Sequence, residues 1–170
     1  MRLPVVLLIC SCLSALGFCG AGAVNLESQT KQAATSSRMS VSLSLRVNQF
    51  TIGQDVPVTL KIKDISNQNI SIRTAPSYYR VYIEDAKGEV EKTRFYHRLR
   101  GEFLPGESDL ALGGVTLEIL PGESETLEFG LARYYKLVEA GEYRVYIESD
   151  DEAGTPVRSN TVSFKLKTPN

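Results

Sequence analysis

The chain has 170 residues, with 19 Lys and Arg against 20 Asp and Glu and a formal net charge of -1. So even a balance excludes the broad basic field that a general nucleic-acid binder needs. With three cysteines and one histidine, the chain is also short of the residues from which thiolate and imidazole metal sites are built.

Residues 1–23 read as an export signal. Arg2 supplies a short positive start, Pro4 to Leu16 form an apolar run, and Ala21-Gly22-Ala23 fits the small-residue cleavage rule, so the mature chain begins at Val24. The rival reading is a membrane anchor, but the apolar run is about a dozen residues, short of the roughly 20 that a spanning helix needs. A lipid anchor centres on Cys19, where the preceding Phe18 is bulky instead of small; Cys12 lies too deep in the apolar run. Cys10, Cys12 and Cys19 all fall in this leader. An exported chain therefore has no disulfide and stands on its core alone. Residues 24–40, rich in Gln, Ser, Thr and Ala, read as a flexible tether, with a short helix as the alternative.

From residue 41 to 168, period-two alternation dominates. Val41, Leu43, Leu45 and Val47 form the first apolar row, and Phe50 and Ile52 continue the strand or its bend; Val58, Leu60 and Ile62 form the next. Ser66 to Asn69 reads as a turn before Ile70 and Ile72. Val81 and Ile83 lead into a hairpin at Asp85 to Gly88. Val115, Leu117 and Ile119 are expected to point inward, Pro121-Gly122 to turn the chain, and Leu127 and Phe129 to return. Leu131 to Val138 is the best candidate for a helical turn. Tyr143, Val145 and Ile147, then Val162, Phe164 and Leu166, supply the last rows. One apolar and one polar face per strand predicts an all-β, immunoglobulin-like antiparallel sandwich of seven or eight strands. The string Leu-Pro-Gly-Glu-Ser occurs at 104–108 and again at 120–124, which reads as one turn chemistry used twice.

Three elements in sequence carry a family resemblance: Ile119 to Ser124 with its Pro-Gly-Glu-Ser turn, Leu131 to Leu137 with Tyr134-Tyr135, and Gly141 to Val145. Together they resemble the non-catalytic β-domain that accompanies deuterolysin-like, lysine-specific metalloendopeptidases. More loosely they are similar to the proteinase-inhibitor domain family of bacilli. The resemblance spans about Val56 to Ile147 and implies a fold more than an activity. The zinc-binding H-E-x-x-H helix of the metalloendopeptidases is absent: the one histidine is His97, in Phe95-Tyr96-His97-Arg98. Tyr143 matches the tyrosine that pins a corner of immunoglobulin-like sandwiches by bonding back to nearby backbone, and Val145 stands where disulfide-bonded members carry their second cysteine.

The most unusual surface stretch runs from Lys92 to Arg100. It interleaves basic residues with Phe95, Tyr96 and His97, a pattern suited to anions, sugars or acidic partners. The candidate binding residues are Arg94, Tyr96, His97, Arg98 and Arg100, next to a loop within 100–114. The plainer reading is an edge strand whose cations block aggregation. Tyr78-Tyr79-Arg80 and Tyr134-Tyr135-Lys136 are further aromatic-basic clusters, each expected to turn one ring inward. Glu148, Asp150, Asp151 and Glu152 crowd one hairpin but lack the spacing of a calcium loop. Asn69-Ile70-Ser71 has the form of a glycosylation sequon. No nucleophile motif such as G-x-S-x-G is present. No catalytic residue, metal or cofactor is therefore expected. The expected object is an exported, non-catalytic binding module, periplasmic or extracellular, whose partner is another protein or a surface polymer. Nucleic acid is not expected, and membrane attachment only if the leader is retained or lipidated. The alternatives are a protease inhibitor using a loop within 100–114, or an accessory domain for a separate metalloprotease.

Overall fold

Alternating apolar residues pair into sheets here because each strand has one face to hide. The computed structural model describes residues 37–108 and 113–169. The expected signal, its cysteines and the tether up to residue 36 lie outside the described residues. Met39 and Ser40, expected to close the tether, are already strand.

In chain order the strands are β1 (Met39–Leu45), β2 (Gln49–Thr51), β3 (Pro57–Asp64), β4 (Ile70–Arg73), β5 (Tyr79–Asp85) and β6 (Gly88–Glu89). The helix α1 (Arg94–Leu99) follows, then β7 (Thr116–Ile119), β8 (Ser124–Gly130), β9 (Gly141–Asp150), β10 (Pro156–Arg158) and β11 (Val162–Lys167). Among the described residues three sheets form: β1-β3-β8, β4-β7, and β2-β11-β9-β5-β6 with β10 also on β9. Every pairing is antiparallel except β2 on β11, which is parallel. All three sheets turn their apolar rows into one core. Val58, Leu60 and Ile62 come from the first, Ile70 and Ile119 from the second, and Val81, Ile83, Val145 and Ile147 from the third. Each such side chain, fully buried, contributes roughly 1.5–3 kcal/mol.

Among the described residues eleven strands stand where seven or eight were expected, because two long strands are broken and the short strands β2, β6 and β10 are added. β4 and β7 continue the ladder of β3 and β8 after an interruption. β3 pairs with β8 up to Lys63↔Ser124 and β4 with β7 from Ile70↔Ile119, so six residues on one side face four on the other. The difference is even, so the inward phase is kept; a difference of one would turn Ile70 and Ile72 to solvent. Pro121-Gly122 therefore does not close a hairpin between β7 and β8. It makes a β-turn inside the interruption, with Glu123 N–H donating to Leu120 C=O at 2.9 Å and Gly122 at φ 81°. The earlier Leu104–Glu107 copy forms the same turn, with Glu107 N–H on Leu104 C=O at 3.0 Å and Gly106 at φ 86°.

Asp64 locks the interruption. Its N–H donates to Glu123 C=O at 3.0 Å and its C=O accepts from Gly122 N–H at 3.1 Å. Its Oδ1 accepts from Ser66 N–H at 2.7 Å, while the residue is wholly buried and Oδ2 meets no partner among the described residues. On the far edge of β1, the Asn160 side chain replaces a missing strand, accepting from Leu43 N–H at 2.7 Å and donating to Leu43 C=O at 3.0 Å.

Four local expectations differ from the structure. Val47, expected in the first apolar row, is 55% exposed, because β1 ends at Leu45. Val115 is 60% exposed, because the β7 ladder starts one residue later. Tyr134 and Tyr135 are both buried, because a 3₁₀ turn at Leu131–Arg133 brings in two consecutive rings where a strand would bring one. The stretch containing Arg94 to Leu99 is a helix, not an edge strand. Tyr143 is buried, stacks on Phe164 with centroids 5.3 Å apart, and donates its hydroxyl to Glu139 C=O at 2.7 Å.

Two substitutions test this framework. A Cβ on Gly130 would run into the Asp55 carboxylate, which accepts from Val56 N–H at 2.9 Å and Ala132 N–H at 3.3 Å; Gly130→Ala should cost about 1–3 kcal/mol, read as a lower urea midpoint. Asp64→Ala strands the Ser66 amide and should cost about 1–3 kcal/mol, with amide exchange quickened at Gly122 and Ser66.

Candidate binding surface

Helix α1 forms because Thr93 caps it: its Oγ1 accepts from Tyr96 N–H at 3.3 Å, and Phe95, Tyr96 and Leu99 then fall on one apolar side. That side docks on the turn after β8. Thr93 N–H donates to Tyr134 C=O at 2.8 Å and its hydroxyl to Arg133 C=O at 2.6 Å. Phe95 meets Tyr134 edge-on at 5.7 Å, and the Arg133 guanidinium lies 4.0 Å over the Phe95 ring.

Of the five residues singled out from the sequence, Tyr96 is 6% exposed and belongs to the core. Its ring packs 5.6 Å from that of Tyr135, whose hydroxyl donates to Val81 C=O at 2.8 Å. Burial pushes the Tyr135 hydroxyl up in pKa. The other four are half-buried and bind their own chain. Arg100 reaches back to Ser77 C=O at 2.8 Å and Tyr79 C=O at 2.6 Å. Arg98 donates to Ser108 C=O at 3.0 Å. His97 Nδ1 meets Glu102 at 2.6 Å, and that hydrogen bond holds the Glu102 carboxyl below its ordinary pKa. Arg94 grips Glu107 through both Nε, at 2.9 Å, and Nη2, and also reaches Glu102 C=O at 2.7 Å.

The helix and the following loop are thus one unit, with the cations spent on holding residues 102–108. Glu107 is the counterpart that sequence reasoning missed: it also accepts from Leu104 N–H at 2.8 Å. The hydrogen bond from Arg94, then that from Leu104, lowers its pKa to about 2. What remains at the surface is the apolar tip, Phe103 at 39% and Leu104 at 56% exposed, followed by Pro105. The Pro-Gly-Glu string marked the turn, but the partner of its glutamate lies ten or more residues back, where sequence spacing gives no signal.

On the acidic hairpin charge is also matched locally. Asp150 takes both Arg80 nitrogens at 2.9 and 2.7 Å, Asp151 Oδ1 caps Ala153 and Thr155, and Glu152 joins Arg38 at 2.8 Å and Ser71 N–H at 2.6 Å. The acidic hairpin is a set of pins. Among the described residues no group of three or more His, Cys, Asp or Glu could hold a metal ion, and no helix is long and apolar enough to cross a membrane. On the outer face of the largest sheet, Tyr82 and Tyr146 stack at 4.8 Å with Arg158 3.5 Å over the Tyr146 ring. Stacking on each other covers one face of each ring, and Arg158 adds a cation–π contact on Tyr146.

No family model matches the chain, and no curated protein matches it. Solved structures do. A β-glucosidase from Listeria innocua is similar at 15% identity over 78% of this chain, with a TM-score of 0.42. The CARDB domain of the PF1109 protein from Pyrococcus furiosus is similar at 12% identity over 77% of this chain and 89% of that one, with a TM-score of 0.43. The sporulation control protein Spo0M from Bacillus subtilis is similar at 15% identity over 76% of this chain, with a TM-score of 0.45. The chain spans 16% of the β-glucosidase and 49% of Spo0M. At such identities and TM-scores these likenesses are weak and partial, and assign neither family nor activity.

The Glu107 strap has a defined pH response. A carboxyl with its folded pKa lowered contributes stability that is complete above the unfolded value, about 4.3. That contribution is lost as pH falls through the folded pKa of about 2. The Leu104 and Glu107 amides should therefore stay slow to exchange at about pH 4 and quicken toward about pH 2. An NMR titration giving Glu107 an ordinary carboxylate pKa would show that the strap is not closed in solution.

Proposed function

We propose that this chain is an exported, non-catalytic, immunoglobulin-like sandwich that recognises a protein partner through the turn at residues 103–106. One observation carries the reading: an exposed apolar tip, Phe103 and Leu104, sits on a turn held from beneath by Arg94, Arg98 and Glu107. Two adjacent large apolar side chains on one turn form a small contiguous patch, and loops on rigid sheets are where recognition concentrates. Fixing the turn beforehand lowers the entropy lost on binding. His97, Arg98 and Glu102 flank the tip as a polar rim. Export rests on the signal-like residues 1–23.

The inhibitor alternative uses the same loop and differs in the partner. Here the tip is a closed β-turn, with Glu107 N–H on Leu104 C=O, whereas peptide clefts that pair backbone take an extended segment. Interaction without inhibition is therefore the better fit.

A photo-crosslinking residue at Phe103 should capture one discrete protein from the native exported fraction. Leu104→Glu should abolish that capture, and Thr126→Glu, on strand β8, should leave it intact. Capture unchanged by Leu104→Glu would sink the assignment, and a captured protease that loses activity would move it to inhibition.

A further inference from the structure

The geometry points to the outer edge of β8 as a strand-addition site for an extended partner segment that carries Lys or Arg two residues from an apolar residue. Among the described residues β8 has β3 on one side and no strand on the other. Asp64 N–H on Glu123 C=O and Leu131 N–H on Val56 C=O set the phase of the ladder. Glu125, Leu127 and Phe129 accordingly turn their backbone groups to β3, and Ser124, Thr126 and Glu128 turn theirs away. Among the described residues the amides of those three meet no partner. The same phase runs back into β7. Thr74 N–H on Val115 C=O makes the odd-numbered residues face β4, so Thr116 and Glu118 face outward. Unpaired outward edges of this length are either protected or used.

The charge along the edge says what it would accept. From residue 101 to 132 the sequence has no Lys or Arg. Glu118, Glu123, Glu125 and Glu128 lie along β7 and β8, all exposed. Of these, Glu128 alone is in an ion pair among the described residues, with the exposed Arg46 at 3.0 Å. Lys61 and Lys63 stand one strand further in, opposite Thr126 and Ser124. A second copy of this chain would bring the same glutamates to the joint with no new cation to offset them, and like charges across strands destabilise a pair. A basic segment meets complementary charge. Leu127 adds a specificity element: it is half-buried at the rim of the core, two residues from Glu125 on the same side of β8. An incoming strand fits best with a cation opposite Glu125 and an apolar residue opposite Leu127.

The test uses the full chain and two fluorescent synthetic peptides, one repeating Lys-Thr-Val-Thr and the other Glu-Thr-Val-Thr, so that the charged residue and Val share one face two residues apart. Anisotropy should show binding of the Lys peptide alone, and amide exchange at Thr126 and Glu128, fast in the free chain, should slow on binding. Glu125→Lys combined with Glu128→Lys should weaken binding at least about fivefold. Thr126→Pro, which removes an outward N–H without touching the β3 ladder, should abolish it. Circular dichroism separates unfolding from lost binding, and the glutamate variant keeps the test valid if the proline variant fails to fold. Leu104→Glu should change nothing, which separates this edge from the turn at 103–106. Equal binding of both peptides, no binding at all, binding indifferent to Thr126→Pro in a folded variant, or slow exchange at Thr126 and Glu128 in the free chain each overturns the proposal.

Discussion

The bond set around Asp64 decides which side chains the rest of the sandwich can use. β3 and β8 make one ladder, β4 and β7 another, and only the six-against-four interruption relates them. Asp64 fixes that count from both strands at once, through its own N–H and C=O to Glu123 and Gly122 and its carboxylate to Ser66. A fully buried carboxyl with one oxygen unbonded is costly. Its retention makes sense if the alternative is a slipped ladder, because a one-residue slip would exchange Ile70, Ile72 and Ile119 for Ser71, Arg73 and Glu118 at the core. Without a disulfide among the described residues to hold register, a buried polar lock does it.

From that lock the surface follows. β4 leads through the 3₁₀ turn at Pro76–Tyr78 into β5, and the Tyr79 hydroxyl reaches back to Arg73 C=O at 2.7 Å. Burial raises the Tyr79 pKa to about 12, so the hydroxyl remains a donor throughout the ordinary pH range. Arg100 then takes Ser77 and Tyr79 carbonyls, fixing the end of α1 to the start of β5. The strapped turn at 103–106 hangs from that joint. Its position is inherited from the core through a chain of backbone carbonyls, which makes a single arginine placement matter more than its charge.

Much of the sandwich was legible because its rows alternate cleanly. Val58, Leu60 and Ile62, or Tyr143, Val145 and Ile147, leave no second way to hide an apolar face. Tyr143 was legible because its role is local, a bond to a carbonyl four residues back. Pro121-Gly122 was half legible: residue chemistry names a turn but not which strands pair around it, since pairing depends on partners some fifty residues away. Helix α1 was missed although Thr93 as a cap, with Phe95 and Leu99 four apart, is a helical signal; six residues are too few for a period to stand out against alternating Arg and aromatic residues. The candidate site was legible as a region and not as a surface. Tyr96 lies in the core, and the exposed Phe103 and Leu104 looked unremarkable in sequence.

Near-zero net charge conceals a segregation that bears on both proposed contacts. Arg94, Arg98 and Arg100 spend much of their donor capacity on carbonyls of Ser77, Tyr79, Glu102 and Ser108. A guanidinium aimed at backbone keeps its positive charge but offers few free donors to a bidentate anion. A basic sequence stretch therefore overstates how well it can grip an acidic ligand. The acidic stretch behaves oppositely: along β7 and β8 the glutamates are exposed, and Glu128 reaches only a solvent-exposed arginine, a pairing worth little. Composition averages these two regions to neutrality. Geometry leaves the usable positive field weaker, and the usable negative field stronger, than counting residues suggests.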